Sequence, residues 1–341
     1  MPEGSSTVAL DGFGVEKGFD VLVAGVRKAA ADGLKVRVFG PAAELSLVKV
    51  EGVTVVDTSE SIGNDQDPVP AVRSRPEASI VRAVDDVKQG NSSAVVSLGS
   101  TGATMAAATF GLRRSLGVKR PALAAQIPLP GRSVLFLDVG ANLDVRAQHL
   151  IQFAYLGASF SRSVLGVSNP SVGLLSVGEE AGKGRSDVVE AHAALSDSEE
   201  IDFIGNVEGR DIPAAVADVI VTDGFTGNIA LKAMEGASRL VGDAITSAAR
   251  SNLLSALGGL MMKPAMGGLR RELHPDTTGG AILLGLRNVT VVGHGSSGPD
   301  GVANAIRLAA RAAAVDAPFL TEQMLHRVGA NRGAIDSGDP A

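Results

Sequence analysis

Short apolar runs alternate along this chain with glycine-rich polar turns and with stretches of helical spacing. The pattern is clearest over residues 134–156. Residues 134–137 are apolar, Asp138, Gly140 and Asn142 follow, and Leu150, Phe153, Ala154 and Leu156 then recur at helical intervals. Such a succession predicts a buried strand, a tight turn and a helix. Apolar runs of the same kind open at residues 7–10, 36–39, 53–56, 94–98, 173–177, 203–206, 219–222 and 289–292. Ile80, Val81, Val84 and Val87 predict a helix over 79–89, with Gly90 as its C-terminal cap. Strand, turn and helix in repetition predict the α/β class, with a doubly wound, mostly parallel sheet.

Two stretches break the pattern. Residues 59–76 are polar and hold Pro68, Pro70 and Pro76, which predicts a loop. Its Arg73 and Arg75 read either as solvated surface or as an anion clamp. Residues 229–273 show no strand and read as two long helices, interrupted at Gly258, Gly259, Pro264, Gly267 and Gly268. Leu257, Leu260 and Met261, with Lys263, Arg270 and Arg271, predict an apolar, basic tip. Such a tip suits a membrane surface or a docking partner, and the helices equally suit a dimer interface. The expected organisation is an α/β core of 1–228 and 274–320, a projecting helical hairpin over 229–273, and a flexible tail over 321–341.

Composition narrows the function. Hydrophobic residues make up 45% of the chain and aromatics only 3%, so the core must be aliphatic. No Trp, one Tyr and a net charge of −6 argue against a nucleic-acid partner. The absence of Cys excludes disulfides, thiolate zinc sites and a thiol nucleophile, and fits a reducing cytoplasm. No signal peptide is expected, and no apolar run reaches the ~18 residues of a membrane span. Asp138, Asp144 and His149 lack metal-ligand spacing, so neither a metal nor a cofactor is expected.

The chemistry lies in the turns. Parallel strands place such turns along one sheet edge. The turns at 99–102, 138–149, 178–184, 223–228 and 293–297 are therefore expected to converge on one cleft. Gly99, Ser100, Thr101 and Gly102 offer close backbone approach and two hydroxyls at a helix N-terminus, without the Gly-Lys-Ser/Thr ending of a P-loop. Asp138 reads as a turn cap or a catalytic acid, and His149 as a structural or a functional histidine. Together the turns suit phosphate or a phosphorylated ligand.

An ordered series of motifs then carries a family resemblance. It comprises the 97–103 turn, Leu137-Asp138-Val139-Gly140-Ala141-Asn142 with His149-Leu150, and Gly178-Glu179-Glu180 with Lys183-Gly184. It continues through residues 203–211, Asp223-Gly224-Phe225-Thr226-Gly227-Asn228, Gly279-Gly280-Ala281 and His294-Gly295-Ser296-Ser297. The chain resembles the PlsX family of bacterial phosphate acyltransferases from about residue 7 to 315. The resemblance implies a fold similar to phosphotransacetylase and to isocitrate/isopropylmalate dehydrogenase. It implies acyl transfer from acyl carrier protein to inorganic phosphate, giving acyl phosphate for glycerol-3-phosphate acylation. It also implies a cytoplasmic homodimer in peripheral contact with the inner membrane face and with a membrane glycerol-3-phosphate acyltransferase.

On this reading Asn142, Lys183, Asp223, Asn228 and His294 are the candidate catalytic residues. Gly99, Ser100, Thr101, Gly102, Asp138, Gly140, His149, Gly178, Glu179, Arg210, Gly227, Ser296 and Ser297 are the candidate substrate and phosphate ligands. Lys183, Arg210 and His294 would orient phosphate, Asn142 or Asn228 would hold the oxyanion, and Asp223 would be a base or an orienting group. The rival activities are an acyl-CoA:phosphate transferase and a nicotinamide-dependent dehydrogenase, but no Gly-x-Gly-x-x-Gly follows the first strand. The opening Asp11-Gly12-Phe13-Gly14-Val15-Glu16 departs from the family's Asp-Ala-Met-Gly-Gly-Asp, which leaves a non-catalytic partner protein as a further alternative.

Overall fold

Buried β-branched and aliphatic runs set the strands, and small or polar caps set where each helix starts. In the computed structural model, which describes residues 6–329, the first half runs β1 (Thr7–Asp11), α1 (Phe19–Ala31), β2 (Lys35–Gly40), β3 (Val53–Asp57), α2 (Pro68–Ser74), α3 (Ser79–Lys88), β4 (Ala94–Ser97) and α4 (Thr101–Leu112). The second half runs β5 (Ala122–Leu129), β6 (Arg132–Leu137), α5 (Ala147–Ser163), β7 (Ser171–Leu175), α6 (Ser186–Ser196), β8 (Asp202–Val207), α7 (Asp211–Ala214) and β9 (Val219–Val221). Two long helices follow, α8 (Gly224–Ala249) and α9 (Leu253–Glu272), and then β10 (Ala281–Leu284), β11 (Val289–Val292), α10 (Pro299–Ala314) and α11 (Ala317–Arg327).

All eleven strands form one sheet in the order β3-β2-β1-β4-β11-β10-β5-β6-β9-β7-β8. Helices α1, α10, α5, α6 and α11 cover one face, and α2, α3, α4 and α7 the other. Fully buried Leu150, Phe153, Leu156 and Phe160 seat α5 on the sheet, each worth about 1.5–3 kcal/mol of burial. That anchorage fixes the first turn of α5, where His149 sits.

The sheet reverses at its centre. Strand β10 is antiparallel to β11 and to β5, and β5 is antiparallel to β6. Three reversals leave β6, β9, β7 and β8 parallel to one another but opposite to β3, β2, β1, β4 and β11. The carboxyl ends of the two halves therefore open at opposite edges of the sheet. The expected convergence of all five polar turns on one edge does not occur, because β10 and β5, which no sequence pattern marks, run antiparallel to their neighbours and turn the second half of the sheet around.

Three further expectations change. Residues 59–76 contain α2, started by the Asp67 cap and the proline in its first turn. Arg73 lies 5.0 Å from the centre of the Phe110 ring, and Arg75 donates to the Ser61 carbonyl, so neither forms an anion clamp. Residues 321–327 are not tail but the last turns of α11, with Thr321, Met324 and Leu325 buried; residues 330–341 lie outside the described residues. Helix α9 runs unbroken through Pro264 and its glycine pairs. The far end of the hairpin is the connection at 250–252. Arg270 and Arg271 therefore stand at its foot, about 25 Å along the helix from Leu254 at 1.5 Å per residue. There Glu272 accepts the Gly131 N–H of the β5–β6 turn.

Candidate active site

The second half of the sheet carries the denser group. Asp138 directly follows β6, is fully buried, and organises the turn after it. Its Oδ1 accepts the N–H groups of Leu123 (3.1 Å), Gly140 (3.0 Å) and Ala141 (2.9 Å), and its Oδ2 accepts the Asn142 backbone N–H and side-chain amide, both at 2.7 Å. Burial pushes this carboxyl's pKa up, against the downward pull of those donors. Of its two readings, turn cap and catalytic acid, this geometry is that of the cap. Asn142 is equally committed, since its amide also donates to the Pro121 carbonyl at 2.8 Å. No N–H is left on that amide for an oxyanion, a correction to the role expected of it.

The start of α8 closes against this turn. The Gly224 N–H donates to the Asn142 carbonyl at 2.7 Å. A Cβ at Gly227 would fall 1.9 Å from the Asp138 carbonyl oxygen, so only glycine permits this approach. Asp223 caps α8 through the Thr226 N–H and hydroxyl, both at 2.8 Å, and its Oδ2 also pairs with Arg185 at 3.1 Å. It orients a hydroxyl and an arginine rather than Lys183. Asn228, one turn into the helix, is exposed, and its amide makes no hydrogen bond among the described residues.

The loop after β7 supplies cations. Arg185 holds Asp187 through two hydrogen bonds, at 3.1 and 2.7 Å, and that carboxylate raises its already high pKa. Lys183 is exposed, and its ammonium has no partner among the described residues. Arg210 is occupied by Glu179 (3.2 Å) and Glu208 (3.1 Å), so Glu179, beside Gly178, serves as its counter-ion. His149 is buried, and its Nδ1 accepts the Arg146 N–H at 3.0 Å, which places the ring proton on Nε2. Burial first, and then the charges of Arg120, Lys119 and Arg146, lower its pKa to about 4, so the ring is a neutral donor at physiological pH.

A cavity of about 680 Å³ opens between the N-termini of α5 and α6, lined by residues 144–148, Arg185, Ser186, Asp187 and Glu190. Two helix N-termini and Arg146 favour an anion there, while Arg185 is already paired with Asp187 and Asp223, and Asp144 and Glu190 add carboxylates to the wall. None of the candidate catalytic or phosphate-binding residues lines it, though Asp144 of the 138–149 turn and the Arg185-Ser186 pair, a departure from the family pattern, do. Arg185 directly precedes Ser186-Asp187, a helix-start signature. The arginines of the cavity wall carry no sequence motif of their own.

The remaining candidates belong to the opposite edge. Gly99, Ser100, Thr101 and Gly102 open α4, where Ser100 caps the helix by accepting the Ala103 N–H at 3.4 Å. Buried Asp11, at the end of β1, accepts the hydroxyls of Ser79 (2.6 Å) and Ser97 (2.7 Å), and Ser97 Oγ in turn accepts the Gly99 N–H at 3.1 Å. Burial raises the pKa of Asp11 against these bonds. His294 is exposed, with Nδ1 facing Ser296 Oγ at 2.7 Å, while buried Ser297 donates its N–H to the His294 carbonyl. The structure thus brings Asp138, Gly140, Asn142, His149, Gly178, Glu179, Lys183, Arg210, Asp223, Gly227 and Asn228 to one edge. It sets residues 99–102, His294, Ser296 and Ser297 at the other. Among the described residues no cluster of three potential metal ligands occurs.

This fold is that of the phosphotransacetylases. The chain matches a phosphotransacetylase from Streptococcus pyogenes with a TM-score of 0.58 at 17% identity, covering 91% of this chain and 94% of that one. A branched-chain phosphotransacylase from Enterococcus faecalis matches with a TM-score of 0.56 at 16% identity, over 90% and 99% of the two chains. The family model described as "Fatty acid synthesis protein" matches residues 6–319. The phosphate acyltransferase of Elusimicrobium minutum is 41% identical over 94% of this chain and 95% of its own length, and that of Geobacillus sp. is 40% identical over 91% and 95%. The chain belongs to the PlsX family and is a phosphate acyltransferase of fatty acid synthesis.

Proposed function

We propose that this enzyme moves a fatty acyl group from the thioester of an acyl carrier protein to inorganic phosphate, in the cytoplasm. The product acyl phosphate would then acylate glycerol 3-phosphate at a membrane acyltransferase. The observation that carries the reading is the cavity between the N-termini of α5 and α6, flanked by Arg146 and Arg185, with unpartnered Lys183 on the adjoining loop. In the reaction a phosphate oxygen attacks the thioester carbonyl, a tetrahedral oxyanion forms, and the C–S bond breaks to release the carrier thiolate, which takes up a proton. Lys183 and the two helix ends would hold phosphate without stripping it of nucleophilicity. The Asn228 amide and the neutral His149 Nε2–H, both uncommitted, would meet the oxyanion; one such donor is typically worth about 10²–10³ in turnover. Holding both reactants supplies the rest through effective molarity. Asp223 positions Arg185.

Release of free carrier thiol from long-chain acyl carrier protein, with and without phosphate, tests this. Phosphate-dependent release is expected. No release from the carrier, with acyl-CoA turned over instead, would overturn the choice of donor.

A homodimer with peripheral membrane contact completes the proposal. Leu240, Leu254 and Met261 are 70, 84 and 79% exposed on α8 and α9, and Leu257 and Leu260 join them. Among the described residues no helix is long and apolar enough to cross a membrane. Leu257→Asp with Leu260→Asp should release the enzyme from anionic vesicles while leaving its transfer rate intact. Loss of the dimer instead would assign this face to the partner copy.

A further inference from the structure

We infer that a basic strip beside the cavity, built by Arg113, Arg114, Lys119, Arg120, Arg146 and Arg287, is the docking surface for an acidic carrier protein. The inference rests on the carrier-dependent reading above and deepens it.

Three separate chain segments make the strip, and the backbone stitches them together. The Arg287 N–H donates to the Arg113 carbonyl at 3.1 Å, and Arg287 Nε donates to the Arg114 carbonyl at 3.2 Å. Arg114 in turn donates to the Lys119 carbonyl at 2.5 Å. Arg120 reaches across to the Asp144 carbonyl at 2.8 Å, and Lys119 to the Gln148 amide oxygen, which ties the loop to the start of α5. The strip thus runs from Arg287, past 113–120, to Arg146 on the cavity wall.

Its charge is at odds with the rest of the molecule. The whole chain carries a net charge of −6, yet residues 113–120 hold four cations and no acid. Across 113–120, 143–148 and 285–288 the only carboxylate is Asp144. The guanidiniums of Arg120 and Arg287 make their side-chain hydrogen bonds here to backbone carbonyls, which leaves their charge uncompensated. The field is felt inside the site, where Arg120, Lys119 and Arg146 all disfavour a charged His149. Between the cations two apolar side chains stand clear, Leu116 at 48% and Leu143 at 64% exposure. Cations around a pair of exposed leucines complement a partner that presents acids flanking an apolar spot.

Position selects which acidic partner. The strip ends at the mouth of the cavity, on the sheet edge that holds Asp138, Lys183 and Asp223. A partner bound there needs a flexible arm to deliver a thioester between α5 and α6. An acidic helical protein bearing a pantetheine thioester meets both requirements. Steering by opposite charge raises association rates and weakens with salt.

The test uses the full chain with Arg120→Glu and Arg287→Glu combined, and the milder Arg120→Gln with Arg287→Gln as a second variant. Three donors are compared: long-chain acyl carrier protein, acyl-CoA, and acyl-pantetheine, which has the arm but no charge. Binding of the carrier itself is measured by calorimetry at two salt concentrations. The reversed variant should lose tenfold or more in kcat/KM for the carrier-bound donor, through KM, and should bind carrier at least tenfold more weakly. The glutamine variant should lose less, and acyl-pantetheine should react as before when assayed above about pH 7.5, where His149 stays neutral even at its ordinary pKa of 6.5. For wild type, raising the salt should weaken carrier binding. Unaltered carrier binding in the reversed variant overturns the inference, and so does an equal loss with acyl-pantetheine. A loss confined to acyl-CoA would give the strip to a nucleotide-bearing donor and overturn it as well. If wild type transfers no acyl group to phosphate from any donor, the proposed reaction fails, while the binding arm still decides the docking surface.

Discussion

Two buried aspartates, one in each half of the molecule, solve the same problem by different chemistry. Asp138 directly follows β6 and is met by four backbone N–H groups and one amide, all pure donors. Asp11 ends β1 and is met by two hydroxyls and the Phe13 N–H. The first arrangement is rigid and suits a carboxylate alone, because an added proton would face donors and no acceptor. The second reaches its turn indirectly, through Ser97, whose oxygen holds the Gly99 N–H. The half with the direct, donor-saturated hub is also the half with the cavity, the unpartnered lysine and the neutral histidine. The half with the hydroxyl relay frames a helix N-terminus whose own serine caps it.

The comparison can be broken hardest at Asp138. Asp138→Ala strands five donors, three of them buried, and should cost roughly 3–5 kcal/mol in denaturant unfolding, with loss of activity. Equal stability in the variant would mean that the turn is not organised by this carboxylate. Gly227→Ala comes next. Its methyl would press on the Asp138 carbonyl and should cost about 1–3 kcal/mol, with transfer impaired because α8 must back away.

His149 sharpens the electrostatic side of the contrast. Its folded pKa of about 4 lies below the ordinary 6.5, so above pH 6.5 both folded and unfolded chains carry it neutral. As the pH falls from 6.5 towards 4 the unfolded chain takes up the proton first, and stability is lost across that window. Replacing it, as His149→Gln, should flatten the fall in urea midpoint between pH 7 and pH 4.5. A parallel fall in both proteins would place the titrating group elsewhere. The smallest effect is expected in the other half. Ser97→Ala removes a donor from Asp11 and the acceptor of the Gly99 N–H, and should cost about 1–2 kcal/mol in unfolding with little change in transfer rate. A collapse of activity would instead bring the Asp11 turn into the chemistry.

The amino-acid pattern by itself determined the class of fold, the strands that end in polar turns, and the family. It could do so because period-two and period-3.6 burial are local, and because glycine, serine and aspartate at strand ends have local physical reasons to be there. It also pointed to Asp138, Asn142 and Asp223 as residues that matter, though not to their roles. Whether an amide is spent on a neighbouring carboxylate or left free, as at Asn142 against Asn228, depends on what packs beside it. Only the tertiary structure decided the larger question of which turns meet. Strand β5 is alanine-rich and carries Pro128, β10 is only four residues long, and neither shows a marked alternation, so no local signal announces them. Yet their antiparallel pairings turn the second half of the sheet around. Two of the three reversals are local hairpins, β5 with β6 and β10 with β11, but the one that joins the halves pairs residues more than a hundred positions apart, such as Ala281 with Ala125, and no stretch of sequence carries that choice alone.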